Sequence, residues 1–174
     1  TKNFIMNISR ESEVNLINIL IDQDIISGKD LINIKKKSTE GQKSQLDAIF
    51  ELNLTDEEKI LDLLVSEQSL SVVDLSTMAV ADEVKSVLPS NYINMNFIAP
   101  FKIENKVLHI AIPDSSKLSL MRNLKTITKM DIELHAAKIS HISVFIEKLL
   151  KEGETTIEAI QKRNREKIQT FDYD

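Results

Sequence analysis

The 174-residue sequence contains no cysteine and no tryptophan, and it has three glycines and three prolines. Without cysteine the chain forms no disulfide and offers no thiolate to a metal ion. An average chain of this length would carry about 12 glycines. A Walker A loop needs two glycines five positions apart, and a dinucleotide-binding fingerprint needs three within six residues. Gly28, Gly41 and Gly153 fit neither spacing, so both glycine-rich phosphate-binding loops are excluded.

Long apolar runs are also missing. No run approaches the 18 residues that a membrane-spanning helix requires, and the N-terminal segment TKNFIMNISRESE is not a signal peptide. The net charge of −5 argues against nucleic-acid binding, which usually requires a concentrated basic face. The three lysines at 35–37 are diluted by nearby acids and indicate a solvated loop rather than a membrane contact. Because the sequence starts at Thr1 and not at methionine, we expect a processed or excised piece.

Residues 1–70, which we call the helical lobe, contain no proline, and their apolar residues recur at helical spacing. Two segments, 27–30 and 55–58, match the capping box, in which a hydroxyl and an acid three positions on satisfy the first free amides of a helix. The pattern therefore predicts two copies of a helix–turn–helix pair. Four apolar stripes define the four helices: Leu16, Ile19 and Leu20; Leu31 and Ile34; Leu46, Ile49 and Phe50; and Ile60, Leu61, Leu64 and Val65.

Residues 71–150, which we call the α/β lobe, contain all three prolines. Their pattern predicts strands at 71–75, 97–103, 107–113 and 131–137, a hairpin turn at 104–106, and helices at 81–89, 117–128 and 140–150. The order β-α-β-β-α-β-α implies a small sheet with helices on one face. We therefore predict an α+β protein in which a helical lobe of duplicated helix pairs precedes a small α/β sandwich. Residues 151–174 are predicted to be a charged linker towards a further domain.

The ordered series of segments in the α/β lobe resembles the N-terminal region of type II secretion and type IV pilus assembly ATPases. The resemblance runs from about residue 13 to 150. It rests on VVDL at 72–75, Leu88-Pro89, the strand from Phe97 to Phe101, and the hairpin strand from Val107 to Asp114. At the end of that strand the sequence has Pro113-Asp114, where the family often has Asp-Pro.

The resemblance implies a non-catalytic docking module. In such proteins the ATPase domain lies further along the chain and is hexameric, and the N-terminal region binds the cytoplasmic part of an inner-membrane platform protein. It implies a cytoplasmic location, peripheral to the inner membrane through that partner. The expected partner-facing residues lie on the helical lobe, around Leu16, Leu20 and Ile25. No catalytic residue, cofactor, metal ion or nucleic acid is expected.

Some family members bind cyclic di-GMP through the duplicated helices, and this is the alternative function. Their repeat has Arg-Leu-Gly, later leucine and glycine, and a closing glutamine. Arginine pairs with phosphate or a guanine edge, and glycine lets the ligand approach the backbone. Both arginines and both first glycines are replaced here, so we predict that binding is lost. The positions equivalent to the ligand-binding ones are Asn15, Ile17 and Asp24 in the first copy, and Gln45, Asp47, Asn53 (or Leu54) and Gln68 in the second.

Two further groups of residues suggest chemistry. His109, His135 and His141 have no HxxxH or HExxH spacing, so a metal site is disfavoured. His109 and His135 are at strand positions and are expected to be sheet-surface or half-buried residues. The acids at 56–58 are an unremarkable helix start, because a helix N-terminus favours negative charge. No Ser–His–acid set is indicated by order or spacing, so a free-standing enzyme is disfavoured.

Overall fold

The computed structural model describes residues 8–152. Four helices form the described part of the helical lobe: α1 (Arg10–Asp22), α2 (Gly28–Gly41), α3 (Gln45–Glu51) and α4 (Glu57–Gln68). They confirm the four helices that apolar spacing predicted, but α2 continues through residues 35–37, which were predicted to be a loop. The side chains that they bury include Leu16, Leu20, Ile34, Leu46, Ile49, Ile60 and Leu64.

The starts of α2 and α4 differ from each other. Ser27 and Asp30 form the predicted capping box on α2. The prediction for α4 is wrong by one residue, because Asp56 is the N-cap and accepts a hydrogen bond from the Lys59 amide at 2.9 Å. Thr55 is instead buried, and its hydroxyl has no hydrogen-bond partner among the described residues. Aspartate caps a helix N-terminus as well as serine does. Because Asp56 is the N-cap, the Thr55 side chain is not needed there and packs inward.

The α/β lobe contains α5 (Ser90–Asn96), β1 (Ala99–Glu104), β2 (Val107–Ile112), α6 (Met121–Thr128) and β3 (Asp131–Ala136). Helical residues 139–152, which we call α7, follow. Two 3₁₀ turns complete the lobe, at Asp82–Val84 and Ser115–Leu120. The second one forms the start of the helix that was predicted from residue 117. Residues 153–174, and with them most of the predicted linker, lie outside the described range.

Two predicted elements are corrected. The strand at 71–75 is reduced to a single parallel bridge between Val72 and Ala136. The helix at 81–89 is reduced to the turn Asp82–Val84, and α5 begins directly after Pro89. Proline disfavours helical geometry at the residue before it. The helix therefore starts at Ser90, where proline precedes the first turn and costs no hydrogen bond.

The sheet has the order β1-β2-β3. β1 pairs antiparallel with β2 through the predicted hairpin, and β2 pairs parallel with β3 after the crossover through α6. Pro100 lies beside a bulge in the edge strand β1, where its missing amide is tolerated. One face of β2 and β3 is fully apolar and buried, and it carries Leu108, Ile110, Ile132 and Leu134. The opposite face carries His109, Glu133 and His135.

Left-handed backbone closes the ends of α1 to α6 without glycine. Gln42, Ser69, Phe97 and Lys129 are the C-caps of α2, α4, α5 and α6, and all four have positive φ. After α1 and α3 the left-handed residue comes one position beyond the C-cap. The residues with positive φ in the described range are Asp24, Gln42, Asn53, Ser69, Phe97, Asn105, Lys106 and Lys129, of which Asn105 and Lys106 lie in the β1–β2 hairpin turn.

The two lobes share one hydrophobic cluster of buried side chains. α4 packs against β3, and Glu57 on α4 accepts hydrogen bonds from the backbone amide and hydroxyl of Ser140 at 2.6 and 2.7 Å. This contact caps α7 with a residue from the helical lobe. No helix between residues 8 and 152 is both long and apolar enough to cross a membrane.

Candidate functional site

Asn15, which was predicted to replace an arginine in the first repeat, lies where α1 meets the α/β lobe. Its side-chain amide donates to Asp114 Oδ2 at 2.7 Å and to Ser115 Oγ at 3.1 Å. Ser12, one turn earlier on α1, donates to the other carboxylate oxygen of Asp114. The Ser116 amide completes the set at 3.0 Å, and Asp114 is fully buried. These residues, Ser12, Asn15, Asp114, Ser115 and Ser116, form a group that we call the interlobe polar cluster.

The interlobe polar cluster continues to a buried lysine. Lys117 is almost fully buried, and its ammonium group donates to Ser9 Oγ at 2.9 Å. Glu11 Oε2 lies 3.9 Å from the same nitrogen. Sequence reasoning missed this contact. Its partners are about 100 residues away in sequence, and no local pattern identifies them.

The second-repeat positions lie near an acidic pair. Asp47 on α3 is half-buried and accepts from the Ser44 hydroxyl at 2.8 Å. Glu13 on α1 accepts from the Gln45 amide at 3.4 Å. Burial raises the pKa of Glu13 above its usual range, and the charge of Asp47 adds to this shift. Burial also raises the pKa of Asp47. Two partly buried carboxyl groups, those of Glu13 and Asp47, therefore lie beside the second-repeat position Gln45.

The turns of the two repeats have the same geometry. Asp24 and Asn53 have φ of 57° and 56°, so Asn53 is the structural counterpart of Asp24 in the second repeat. The following amides, of Ile25 and Leu54, donate to the carbonyls of Leu20 and Ile49. These pairs are 29 residues apart. The same offset places Gln45 opposite Leu16, so the predicted pairing of Asn15 with Gln45 is shifted by one residue.

Two of the three predicted partner-facing residues are in the core. Leu16 and Leu20 are each 1% exposed, so they cannot form a surface, and this part of the prediction is corrected. Ile25 is half-buried. Helical spacing identifies the apolar stripe of a helix, and in α1 that stripe packs inward. Ile17 is also buried, at 7% exposure. Gln68, the last residue of α4, is half-buried.

Comparison with protein families gives a match to the MshEN domain over residues 68–156. This match covers half of the chain. The chain belongs to the MshEN domain family, the N-terminal domain of type II secretion and type IV pilus ATPases. The comparison with curated proteins found no match.

Two solved structures share the fold of this MshEN domain. One is MshE, solved with cdg, with 20% identity and a TM-score of 0.54, covering 77% of this chain and 97% of the other. The other is the N-terminal domain of XpsE, with 18% identity and a TM-score of 0.56, covering 80% of this chain and 96% of the other. The expected α+β fold is confirmed by these similarities and by the elements described above.

A second cluster of titratable residues lies on the sheet face opposite Leu108 and Ile110, where His109 is buried and Glu133 is exposed. His109 Nδ1 is 2.9 Å from His135 Nε2 and 3.3 Å from Glu133 Oε2. Ser71 Oγ is 2.7 Å from the other ring nitrogen of His135. Burial lowers the pKa of His135, against the opposing influence of Glu133. His141 is not part of this cluster; it lies 3.7 Å from Asp74.

Proposed function

We propose that this chain is a non-catalytic docking module, which connects a secretion or pilus motor ATPase to the cytoplasmic part of an inner-membrane platform protein. Family membership over residues 68–156 carries the proposal. The absence of a glycine-rich phosphate loop supports the non-catalytic role. In this proposal the module is cytoplasmic, is held at the inner membrane through its partner, and precedes a hexameric ATPase domain.

The helical lobe is the proposed docking surface, with residues other than those first predicted. Because Leu16 and Leu20 are in the core, exposed apolar side chains must provide the contact. Val14 on α1 and Ile32 on α2 are exposed, and Ile32 is 69% exposed. Burying one such side chain contributes about 1.5–3 kcal/mol, which corresponds to roughly tenfold or more in affinity.

The docking proposal is tested by binding of the full chain to the cytoplasmic domain of the cognate platform protein. The unmodified chain should be retained without nucleotide, and Ile32→Asp should weaken binding about tenfold. Met95→Asp is the matched control, because Met95 is 73% exposed but lies on α5 in the α/β lobe. If Met95→Asp abolishes binding and Ile32→Asp does not, the helical lobe is the wrong surface. If the unmodified chain does not bind at all, the docking role is wrong.

Cyclic di-GMP binding is the second candidate, favoured by the shared fold with MshE solved with cdg. Three observations argue against it: the Asn15 amide is engaged by Asp114, Ile17 is buried, and Glu13 and Asp47 are acidic. A charge-assisted hydrogen bond contributes about 1.5–3 kcal/mol. Losing two arginines therefore costs roughly a hundredfold or more in affinity.

Titration calorimetry with cyclic di-GMP tests the second candidate function. The unmodified chain should show no heat of binding at micromolar cyclic di-GMP. Two combined variants are the controls. The first carries Asn15→Arg, Ile17→Gly, Gln45→Arg and Asp47→Gly. The second has Ser44→Arg instead of Gln45→Arg, because the 29-residue offset makes Ser44 the counterpart of Asn15. Recovery of binding in either variant supports loss through these positions. Micromolar binding by the unmodified chain would make the sensor function the better one.

A further inference from the structure

We propose that His109, Glu133 and His135 form a binding site for a divalent first-row transition-metal ion, with Zn²⁺ the best fit to the donors. The site lies in the α/β lobe and is independent of the docking proposal. It places two imidazoles and one carboxylate at adjacent positions on two paired strands.

The parallel register of β2 and β3 creates this arrangement. His109 is directly opposite Glu133, and Ala111 is directly opposite His135. Side chains two residues apart on a strand project from the same face, so Glu133 and His135 both lie on the face of His109. One ligand atom from each of the three residues falls within 4.8 Å of the others.

The donor atoms suit zinc in kind and in spacing. Zinc binds imidazole nitrogen and carboxylate oxygen, and sites with three protein ligands keep a fourth position open. With zinc–nitrogen bonds of about 2.0–2.1 Å, two ligand nitrogens of a tetrahedral ion lie about 3.3 Å apart. The His109 and His135 nitrogens are now 2.9 Å apart, so a small rotation of the rings admits the ion between them.

Ser71 prepares His135 for this role. A metal-binding histidine usually donates its other ring N–H to an oxygen, which fixes the tautomer and the ring orientation. The Ser71 hydroxyl oxygen, 2.7 Å from His135 Nδ1, is in place to accept that hydrogen. His135 Nε2 then carries no hydrogen, and its lone pair is free to bind a metal ion. Without metal it accepts a hydrogen bond from His109 Nδ1–H, and on metal binding that hydrogen moves to the other nitrogen of His109.

The proposed metal site has an aromatic side chain on one side and is open to solvent on another. The Phe101 ring lies beside both imidazoles, with centroid distances of 6.1 Å to His109 and 5.5 Å to His135. The Glu133 side chain is 57% exposed, which leaves a solvent path for the ion. Lys102 lies near the proposed site, and its ammonium group forms an ion pair with Glu104 at 3.1 Å. The bound ion would cross-link β2 to β3 and keep its fourth position facing outward, open to water or to a partner's ligand.

The test is Zn²⁺ titration of the chelator-treated full chain by calorimetry, with thermal unfolding in parallel. We expect one ion per chain with micromolar affinity, and a Tm that rises with zinc because the ion binds the folded state. Glu133→Gln is the first variant, because an exposed side chain can be changed without loss of the fold. Loss of a residue that merely orients a ligand costs about 10–100-fold, so loss of this ligand should weaken binding at least about tenfold.

Two further measurements keep the proposal falsifiable. His135→Gln should abolish binding, and His141→Gln, which changes the histidine outside the cluster, should leave affinity unchanged. Substitution of Co²⁺ should give the visible absorption of a tetrahedral site, which Glu133→Gln should alter. Absence of stoichiometric binding at about 100 µM Zn²⁺, which is about a hundredfold above a Kd of about 1 µM, would overturn the proposal. Equal affinity of the Glu133→Gln, His141→Gln and unmodified chains would also overturn it.

Discussion

Glu13 and Asp47 are two half-buried carboxylates, on α1 and α3. Burial raises the pKa of both, so the folded state holds their protons more readily than the unfolded state does. The contribution of the pair to stability therefore falls as the pH rises from about 4, the ordinary carboxyl pKa, through the raised values. At pH 7 the ionised pair therefore contributes less to stability than the protonated pair would, although each carboxylate accepts a hydrogen bond.

Glu13→Gln should therefore stabilise the protein at pH 7. The amide oxygen of glutamine can still accept from the Gln45 amide, and the charge beside Asp47 is removed. Because Glu13 is partly solvated, we expect a gain of about 0.5 kcal/mol in the free energy of unfolding, measured by urea denaturation. The gain should shrink at pH 4, where the carboxyl group of Glu13 is largely protonated. The control is Glu147→Gln on an exposed position of α7, and equal effects of the two variants would contradict this argument.

Among the elements, the four helices of the helical lobe were the easiest to predict, whereas the helix at 81–89 and the sheet contacts were the hardest. α1 to α4 follow from apolar spacing, and the β1–β2 hairpin follows from the turn residues between two β-rich runs. The start of α4 was misplaced because Thr55 and Asp56 are both good caps, and burial decides between them. The strand at 71–75 has a strand-like composition, but it forms one bridge to β3 because the chain turns away after Val73.

The two candidate sites show where sequence reasoning ends. Each histidine of the His109–His135 pair was placed correctly on a strand. Their meeting depends on β2 and β3 being neighbours in one register, which local spacing does not reveal. In the same way, Asn15 was recognised as a replaced arginine, but its contact with Asp114 depends on how the two lobes pack. Local patterns identify elements and caps, and the sites arise from long-range pairings between them.

At the scale of the whole molecule, several polar contacts join the lobes, among them the interlobe polar cluster, the Lys117–Ser9 hydrogen bond and the Glu57–Ser140 pair. In the first and the last of these a carboxylate accepts hydrogen bonds from the other lobe, and Asp114 is fully buried. Together with the shared hydrophobic cluster, they favour unfolding of the described chain as one cooperative unit.

Asp114→Ala should lower the free energy of unfolding by about 2–3 kcal/mol, because it leaves the Ser12 and Asn15 side chains buried without their charged acceptor. Urea denaturation followed by circular dichroism measures this change. Asp74→Ala is the control, since Asp74 is exposed and its hydrogen bonds are to Ser76 within one turn. A loss for Asp114→Ala no larger than that for Asp74→Ala would show that the interlobe polar cluster does not hold the lobes together.

The left-handed helix ends have a consequence for how this protein tolerates change. An L-residue in that conformation costs roughly 1–2 kcal/mol, less for asparagine and aspartate, and glycine removes most of this cost. Exposed positions such as Gln42, Ser69 and Lys129 therefore hold a reserve of stability that single exchanges to glycine would release. Such exchanges, in evolution or in protein engineering, could offset destabilising substitutions at a binding surface. Because none of these positions is glycine now, the fold can tolerate more substitutions at its surface.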